Sequence, residues 1–276
     1  MILDGRKLRD EILEDLKVRL SKSDRKPSLA VILAGDDAAS KIYVNNKNKT
    51  AEKVGINSVV IEYPCNVSEK EIISKIEELN NDSSVTAILV QLPLPDGISK
   101  ENVLNAISPE KDVDGLTISN VGKMFSGEKP YVYPCTPKGI LAILDKYNIE
   151  IEGKKAVVVG RSNLVGRPVA QMLLDRNATV TICHSRTKNL SEITKQADIL
   201  VSAVGKKIIF ADMVKDGAVV IDVGISKTAD GKLTGDVDYE KVSEIASYIT
   251  PVPGGVGPMT IASLMANTVE LFYIGK

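Results

Sequence analysis

Short apolar runs alternate with helical patterns along the whole chain. In the first half, apolar runs at 28–35, 56–63 and 85–95 are separated by helical periodicity over 38–54 and 69–80. Regular alternation of strand and helix indicates parallel strands joined by right-handed crossovers. The first half is therefore predicted to be an α/β domain, preceded by an amphipathic helix at the N-terminus.

A second alternation follows a segment at 110–135 that is rich in glycine and proline and is predicted to form long loops. Thr136 is predicted to cap a connecting helix that has Pro137 at its first position and runs through about residue 147. A last helix is predicted over about 261–273. The second half is predicted to be another α/β domain, because its apolar runs are apolar on both faces, as in buried parallel strands. These runs lie at 154–160, 178–185, 197–205 and 217–224.

Composition narrows the classes of function. The 276 residues suit two domains, and 35 basic against 36 acidic residues leave no global positive field for nucleic acid or an anionic membrane. Cys65, Cys135 and Cys183 are widely spaced without a CxxC pair, which favours reduced thiols. With no apolar stretch of a signal peptide or a membrane span, a cytoplasmic protein is expected.

The segment "VVVGRSNLVGRP" places Gly160, Ser162 and Gly166 directly after an apolar strand and at the start of a helix. Glycine allows a tight turn, and a helix N-terminus presents unpaired N–H groups to a pyrophosphate. The pattern therefore favours dinucleotide binding. An ordinary turn between strand and helix remains the alternative, because glycine is common there in any α/β protein.

The end of the next strand bears on which dinucleotide is bound. A fold that prefers NAD usually has an acid there, whereas "CHSRT" offers Ser185 and Arg186, and Arg161 adds a second guanidinium. These groups favour NADP, and a solvated turn at Arg186 is the alternative. His184 is the only histidine, which argues against histidine-based nucleophilic catalysis and excludes a histidine metal site. No metal is expected, and proton transfer is left to lysine, tyrosine and carboxylates.

Three further stretches contain polar residues that are candidates for substrate binding or proton transfer. "YVNNKNK" places Tyr43 and Lys47 four residues apart on a predicted helix, so that both lie on one face. "LVQLPLP" places Gln91 at the carboxyl end of an apolar strand, where open α/β sheets bind ligands. "PEKDVDGL" places Asp114 in a loop with a glycine. The pattern alone leaves open a solvated helix face, an exposed strand edge and a turn aspartate.

In combination, these stretches resemble a known family over nearly the whole chain. The family is that of the bifunctional methylenetetrahydrofolate dehydrogenase/methenyltetrahydrofolate cyclohydrolases. The motifs that carry the resemblance occur in the family's order, and they are "YVNNKNK", "LVQLPLP", "PEKDVDGL", "YPCTPKG", "VVVGRSNLVGRP", "GAVVIDVGI" and "TPVPGGVGPMT".

The resemblance implies two α/β domains flanking a cleft. A folate-binding catalytic domain is expected at 1–136, with the C-terminal helix 261–276 packing back on it, and a Rossmann-like NADP-binding domain at 137–260. The implied activity is oxidation of 5,10-methylenetetrahydrofolate to 5,10-methenyltetrahydrofolate and hydrolysis of the latter to 10-formyltetrahydrofolate. A cytoplasmic homodimer that acts in one-carbon metabolism and purine biosynthesis is expected.

The resemblance also implies roles for single residues on the folate side. Lys47 is the catalytic lysine, Tyr43 packs on the folate, Gln91 hydrogen-bonds near Lys47, and Asp114 holds the amino edge of the pterin. A rigid loop without bulky side chains over 251–258 is expected to approach the substrate. The loop residues implied in substrate binding are Pro253, Gly254 and Gly255.

On the cofactor side, the family's pattern is matched with one departure. Lys207 stands where the family commonly has proline, and the loop looks about one residue shorter, which leaves the contacts around Gly205 open. The residues implied in NADP binding are Gly160, Arg161, Ser162, Ser185, Arg186 and Ile225.

Hydride leaves carbon directly for the nicotinamide, so oxidation mainly requires positioning. Hydrolysis requires an activated water and a protonated leaving nitrogen, and the cationic substrate should favour the neutral amine of Lys47 by like-charge repulsion. Two alternatives are a monofunctional enzyme of the same fold and a noncatalytic dinucleotide sensor. An unrelated hydroxy-acid dehydrogenase fits less well, because it would usually bring a carboxylate-binding arginine and often a catalytic histidine.

Overall fold

The computed structural model describes residues 1–228 and 231–275, in which the chain forms two compact α/β units. The first-half unit comprises Glu11–Cys135 and Ile261–Lys276, and the second-half unit comprises Met1–Asp10 and Thr136–Thr260. Both units are built from strands that alternate with helices. The predicted two-domain α/β fold is therefore confirmed.

The first-half unit has a three-stranded parallel sheet in which the first strand lies between the other two. Apolar side chains cover both faces of this middle strand, as its continuous apolar sequence predicts. The elements that carry residues of this unit are α1 (Gly5–Leu20), β1 (Ser28–Ala34), α2 (Ala38–Val54), β2 (Asn57–Tyr63), α3 (Glu69–Asn81), β3 (Ala87–Val90), α4 (Lys100–Asn105), α5 (Ile118–Phe125) and α10 (Val256–Ile274).

Helix α2 has the predicted bounds because polar chemistry fixes both of its ends. The Asp37 carboxylate accepts a hydrogen bond from Ser40 N at 2.7 Å. Gly55 ends the helix with a φ of 97°, a left-handed conformation that glycine adopts without a Cβ penalty. The side chains that α2 presents are therefore held in a fixed register.

Two predictions for the segment at 110–137 were wrong. The segment at 110–135 contains α5, whose first turn is capped by Thr117, although its glycine and proline content indicated only loops. Helix α6 (Cys135–Lys146) begins at Cys135, so Thr136 lies inside the helix instead of at its N-cap. The Thr136 hydroxyl is 3.0 Å from the Thr260 hydroxyl and forms a hydrogen bond with it.

The second-half unit has a five-stranded parallel sheet, with strands in the order β10-β7-β6-β4-β5. A separate pair of two-residue strands, β8 and β9, is antiparallel. The elements are α6 (Cys135–Lys146), β4 (Lys155–Val159), α7 (Gly166–Leu174), β5 (Thr179–Cys183), α8 (Leu190–Thr194), β6 (Ile199–Ser202), a 3₁₀ helix (Ala211–Met213), β7 (Val219–Asp222), β8 (Ser226–Lys227), β9 (Leu233–Thr234), α9 (Tyr239–Ile245) and β10 (Tyr248–Ile249).

Two further details of the fold differ from the sequence prediction. Strand β5 is an edge strand, so it is not covered on both faces, and Ile182 is 41% exposed. Helix α10 begins at Val256, about five residues earlier than predicted, with Pro258 in its first turn. Proline fits there because N–H groups in the first turn of a helix have no intrahelical acceptor.

The N-terminus differs from the predicted domain limits. Leu3 N donates to Ile249 O at 2.9 Å, and Ile249 N donates to Met1 O at 3.0 Å. These bonds tie the first residues to strand β10, so Met1–Asp10 group with the second-half unit instead of with the first domain at 1–136.

Three chemical features of the described chain bear on function. Across residues 1–228 and 231–275, no helix combines the length and apolar character needed to cross a bilayer. Within the same ranges, no three histidine, cysteine, aspartate or glutamate side chains converge as potential metal ligands. The three cysteines, all in the described ranges, form no disulfide.

Candidate functional site

Lys47 and Gln91 form a polar contact at the carboxyl end of β3. The Lys47 ammonium donates to Gln91 Oε1 at 2.9 Å, and Gln91 Nε2 donates to the Leu92 carbonyl at 2.6 Å. The second bond turns the amide so that its oxygen faces the lysine. Gln91 itself is anchored because its N–H donates to Ile32 O at 2.9 Å, which continues the ladder between β3 and β1. Lys47 is therefore not part of a merely solvated helix face.

Tyr43 lies one turn before Lys47 on α2 and is 45% exposed. The neighbouring Val44 points into the core, which fixes the rotation of the helix. The aromatic face of Tyr43 is therefore accessible to a flat ligand on the side of the helix that carries Lys47.

Asp114 joins this group from the loop between α4 and α5. Burial raises the pKa of the Asp114 carboxyl, while the positive charge of Lys47 and the Cys135 thiol act in the opposite direction. The carboxyl is thus within electrostatic reach of Lys47, and the negative charge of Asp112 also raises its pKa. The structure brings Lys47, Gln91 and Asp114 together, as the family resemblance implied.

Two buried polar residues that the sequence prediction missed hold the Asp114 loop. The Asp112 carboxylate accepts from Thr117 N at 2.8 Å, and from the amide of a buried asparagine on α5 at 3.0 Å. Asn267 of α10 donates to Val113 O at 2.8 Å and to Tyr133 O at 2.9 Å. A polar residue inside the apolar sequence of α10 was the signal for this anchor.

The glycine loop after β4 has the close contacts that its pattern predicted. Gly160 has a φ of 125°, and a Cβ on it would lie 2.4 Å from Ala203 O. A Cβ on Gly166 would lie 2.2 Å from Gly160 O, so neither position has room for a larger residue. The Ser162 hydroxyl accepts from Val165 N at 3.2 Å and from Gly166 N at 3.4 Å. The turn therefore already uses two N–H groups at the start of α7.

A compact turn follows β5 and presents Ser185 and Arg186 to solvent. Its base is fixed because Thr187 Oγ1 accepts from His184 N at 2.8 Å and His184 Nδ1 accepts from Arg186 N at 3.1 Å. Arg161 in the glycine loop is also exposed. The second-half unit thus holds two accessible guanidinium groups in loops that follow neighbouring strands, β4 and β5.

The remaining predicted residues also belong to the second-half unit. Ile225 follows β7 and is 49% exposed. In the loop that contains Pro253, Gly255 N donates to Pro251 O at 2.8 Å, and the Gly254 carbonyl accepts from two N–H groups at the start of α1. Pro253, Gly254 and Gly255, predicted to bind substrate, are therefore carried by a different unit from Lys47, Gln91 and Asp114.

Two family models match the chain. The model of the tetrahydrofolate dehydrogenase/cyclohydrolase catalytic domain matches residues 3–114, and that of the NAD(P)-binding domain matches residues 134–274. The "Bifunctional protein FolD" of Halalkalibacterium halodurans is 55% identical over 274 residues, which cover 98% of each chain.

Solved structures of similar proteins have the same fold. A bifunctional FolD methylenetetrahydrofolate dehydrogenase/cyclohydrolase from Campylobacter jejuni superposes with a TM-score of 0.97 at 48% identity, over 99% of both chains. A Trypanosoma brucei N5,N10-methylenetetrahydrofolate dehydrogenase-cyclohydrolase, complexed with NADP cofactor and inhibitor, has a TM-score of 0.94 at 37% identity. The matched region covers 99% of this chain and 97% of the Trypanosoma chain.

Proposed function

The chain belongs to the tetrahydrofolate dehydrogenase/cyclohydrolase family, and we propose that Lys47 transfers the protons in the second of its two reactions. The enzyme oxidises 5,10-methylenetetrahydrofolate to the methenyl cation with NADP, and it hydrolyses this cation to 10-formyltetrahydrofolate. The observation that carries the role of Lys47 is its hydrogen bond to Gln91 near the partly buried Asp114.

We assign folate binding to the first-half unit and cofactor binding to the second-half unit. Tyr43 offers an exposed aromatic face to the flat pterin. Asp114 accepts from the two adjacent N–H donors at the pterin's amino edge, as a carboxylate with two oxygens can. Pro253, Gly254 and Gly255 approach the substrate through backbone atoms.

The residues of the cofactor loops fit a dinucleotide. A Cβ at Gly160 or Gly166 would collide with backbone, so these two positions of the turn ahead of α7 stay free of side chains. The exposed turn after β5 carries an arginine and no carboxylate, which suits a 2′-phosphate. When bound, NADP supplies the hydride acceptor. The residues assigned to NADP binding are Gly160, Arg161, Ser162, Ser185, Arg186 and Ile225.

Lys47 serves as base and then as acid during hydrolysis. A water adds to the bridging carbon of the methenyl cation and gives one proton to the neutral amine of Lys47. The resulting ammonium protonates the leaving nitrogen as its bond to carbon breaks, while the remaining hydroxyl proton leaves for solvent and the formyl carbonyl forms. Gln91 Oε1 accepts one N–H of Lys47, so it orients the nitrogen towards the water. The positive substrate favours the neutral amine by like-charge repulsion.

The direct test of this role is the Lys47→Met variant, which keeps the length of the side chain and removes the amine. Hydrolysis of supplied methenyltetrahydrofolate should fall by at least about a hundredfold, the range expected for loss of a general acid and base. Lys53→Met on the same helix is the matched control, because Lys53 is exposed, and it should hydrolyse at the wild-type rate. Wild-type hydrolysis by Lys47→Met would overturn the assignment.

We also propose that the enzyme is a cytoplasmic homodimer that supplies formyl groups to purine biosynthesis and has no nucleic-acid partner. The edge strand β5 supports the dimer, because it has an unpaired backbone edge beside the exposed Ile182 and Leu174. Three cysteines without disulfides suit a reducing compartment. Sedimentation equilibrium tests the dimer directly, since a mass of one chain at micromolar concentration would contradict it.

A further inference from the structure

Two buried aspartates in the second-half unit have no role in the reactions described so far. Asp222 ends strand β7 and is 3% exposed, and Asp236 is fully buried. Asp222 Oδ1 accepts from Gly224 N and from Asp236 N, both at 2.9 Å, and Asp222 Oδ2 accepts from Val237 N at 2.9 Å. These bonds join the loop after β7 to the segment that holds Asp236.

Asp236 in turn holds the loop that follows β6. Its Oδ2 accepts from the Ser202 hydroxyl at 2.9 Å and from Val204 N at 2.7 Å, and its Oδ1 accepts from Lys206 N at 2.8 Å. A buried carboxylate is costly unless hydrogen bonds compensate it, and here three donors do so. The backbone over 203–206 is thus fixed by a side chain from elsewhere in the sequence.

The loops that the two aspartates fix lie at the carboxyl ends of neighbouring parallel strands, where open α/β sheets bind their ligands. Ala203 packs against the glycine turn, because a Cβ on Gly160 would be 2.4 Å from its carbonyl oxygen. Gly224 N is held by Asp222, directly before the exposed Ile225. The aspartates therefore connect the turn after β4 and the loops after β6 and β7.

Glycine is required where the carboxylates touch the backbone. A Cβ on Gly224 would lie 1.9 Å from Asp236 Oδ1, and a Cβ on Gly235 would lie 1.9 Å from Asp222 Oδ2. The departure from the family's pattern at Lys207 also falls here, and its ammonium forms an ion pair with Asp238 at 3.1 Å. This ion pair is a second link between the loop after β6 and the segment that holds Asp236.

We propose that Asp236, supported by Asp222, is a positioning residue for NADP. It holds the backbone of 203–206 beside the Gly160 turn, so that this part of the cofactor edge has its binding shape before NADP arrives. The proposal rests on the cofactor residues assigned above. Asp236 does not act on the folate, so its loss affects oxidation and spares hydrolysis, which involves no change in redox state.

The test is the Asp236→Asn variant, which keeps the size of the side chain but turns an NH₂ group towards at least one of the three donors. The KM for NADP and the Kd for NADPH should rise about tenfold, as expected for loss of a hydrogen bond to a charged group. Hydrolysis of supplied methenyltetrahydrofolate, measured without NADP, should stay within about twofold. A merely structural role would lower both activities together.

Asp198→Asn is the matched control. Asp198 is a partly buried carboxylate just before β6, at the opposite end of the same strand, and it accepts from Lys155 N at 2.9 Å and from the Lys215 ammonium at 2.6 Å. Its replacement should change neither the affinity for NADPH nor hydrolysis.

If Asp236→Asn does not fold, Ser202→Ala replaces it as the test variant. This change removes one hydrogen-bond donor to Asp236 and keeps the Asp236 carboxylate. Its Kd for NADPH should rise about threefold. Unchanged affinity in a folded variant, or a parallel loss of both activities, overturns the proposal. Arg186→Ala tests the cofactor site separately. If Arg186→Ala weakens NADPH binding and Asp236→Asn does not, only the positioning role is overturned. If Arg186→Ala leaves NADPH binding unchanged, the cofactor assignment itself is contradicted.

Discussion

The two units use their polar residues in opposite ways. In the first-half unit, the side chains of Lys47, Gln91 and Asp114 form a cluster in which each group faces another functional group. In the second-half unit, the glycine turn requires an absence of side chains, and the buried carboxylates bind backbone N–H groups. Proton transfer needs a particular side chain, whereas a dinucleotide edge needs a particular backbone shape.

This difference predicts that the two activities can be damaged separately. The largest effect is expected for Gly166→Ala, whose Cβ would lie 2.2 Å from Gly160 O. Neither backbone can give way without opening the turn, so NADP-dependent oxidation should fall by at least about a hundredfold, corresponding to roughly 3 kcal/mol. Hydrolysis of supplied methenyltetrahydrofolate should continue, because Lys47 is in the other unit.

Gly122→Ala is the control for that change. Gly122 lies in α5, and a Cβ there would have no atom within 4 Å, so alanine should leave both activities intact. Equal loss of oxidation and hydrolysis in Gly166→Ala, in a protein that keeps its melting temperature, would contradict the division of labour between the units.

Gln91→Ala tests the same separation of the two activities from the folate side, and a smaller effect is expected. It removes the acceptor at 2.9 Å from the Lys47 ammonium, so the amine loses its orientation but remains present. Hydrolysis should fall about tenfold, in line with one hydrogen bond to a charged group, while the KM for NADP is unchanged. Gln196→Ala, at an exposed position, is the control. A raised KM for NADP in Gln91→Ala would show that the units are not separable.

A separate prediction concerns the dependence of stability on pH. Burial raises the pKa of Asp222 to about 6, although the N–H groups of Asp236 and Val237 act in the opposite direction. The folded pKa is above the unfolded one, so the contribution of Asp222 to stability is fully present below about pH 4 and is lost as pH rises through about 6. The loss amounts to roughly 2 to 3 kcal/mol.

Urea unfolding between pH 4 and pH 7 measures this contribution. In Asp222→Asn this loss of stability with rising pH should be absent, so the difference in stability between variant and wild type should change by roughly 2 to 3 kcal/mol over this range. Asp198→Asn should instead follow the wild-type profile over this range, because the bond from Lys215, followed by the bond from Lys155 N, lowers the pKa of Asp198, so that it titrates below about pH 4. Its contribution is present above the unfolded pKa and is lost as pH falls. Identical pH profiles for wild type and Asp222→Asn would contradict the assignment.

Local patterns were sufficient for the main elements and for much of the site. Helix α2 has the predicted bounds because its caps are encoded next to it, and the close approach of Gly160 and Gly166 follows from their place between strand and helix. Gln91 could be found because a polar residue ends an apolar strand.

The missed features depend on partners far away in the sequence. Asp236 bonds to Ser202, 34 positions earlier, and Asn267 bonds to Val113, 154 positions earlier. The polarity of Asn267 inside apolar sequence was visible, but no local pattern specifies the partner of either residue. The attachment of the N-terminal residues to strand β10 was not predictable for the same reason, since Leu3 pairs with Ile249.

Oxidation should proceed without Lys47, the residue that transfers protons during hydrolysis. The most direct measurement follows NADPH and the methenyl cation together, by ultraviolet absorbance, as Lys47→Met reacts with methylenetetrahydrofolate and NADP. One methenyl cation should accumulate in Lys47→Met for each NADPH formed, whereas wild type should accumulate little. Formation of 10-formyltetrahydrofolate by Lys47→Met at the wild-type rate, or failure of the folded variant to reduce NADP, would contradict the account.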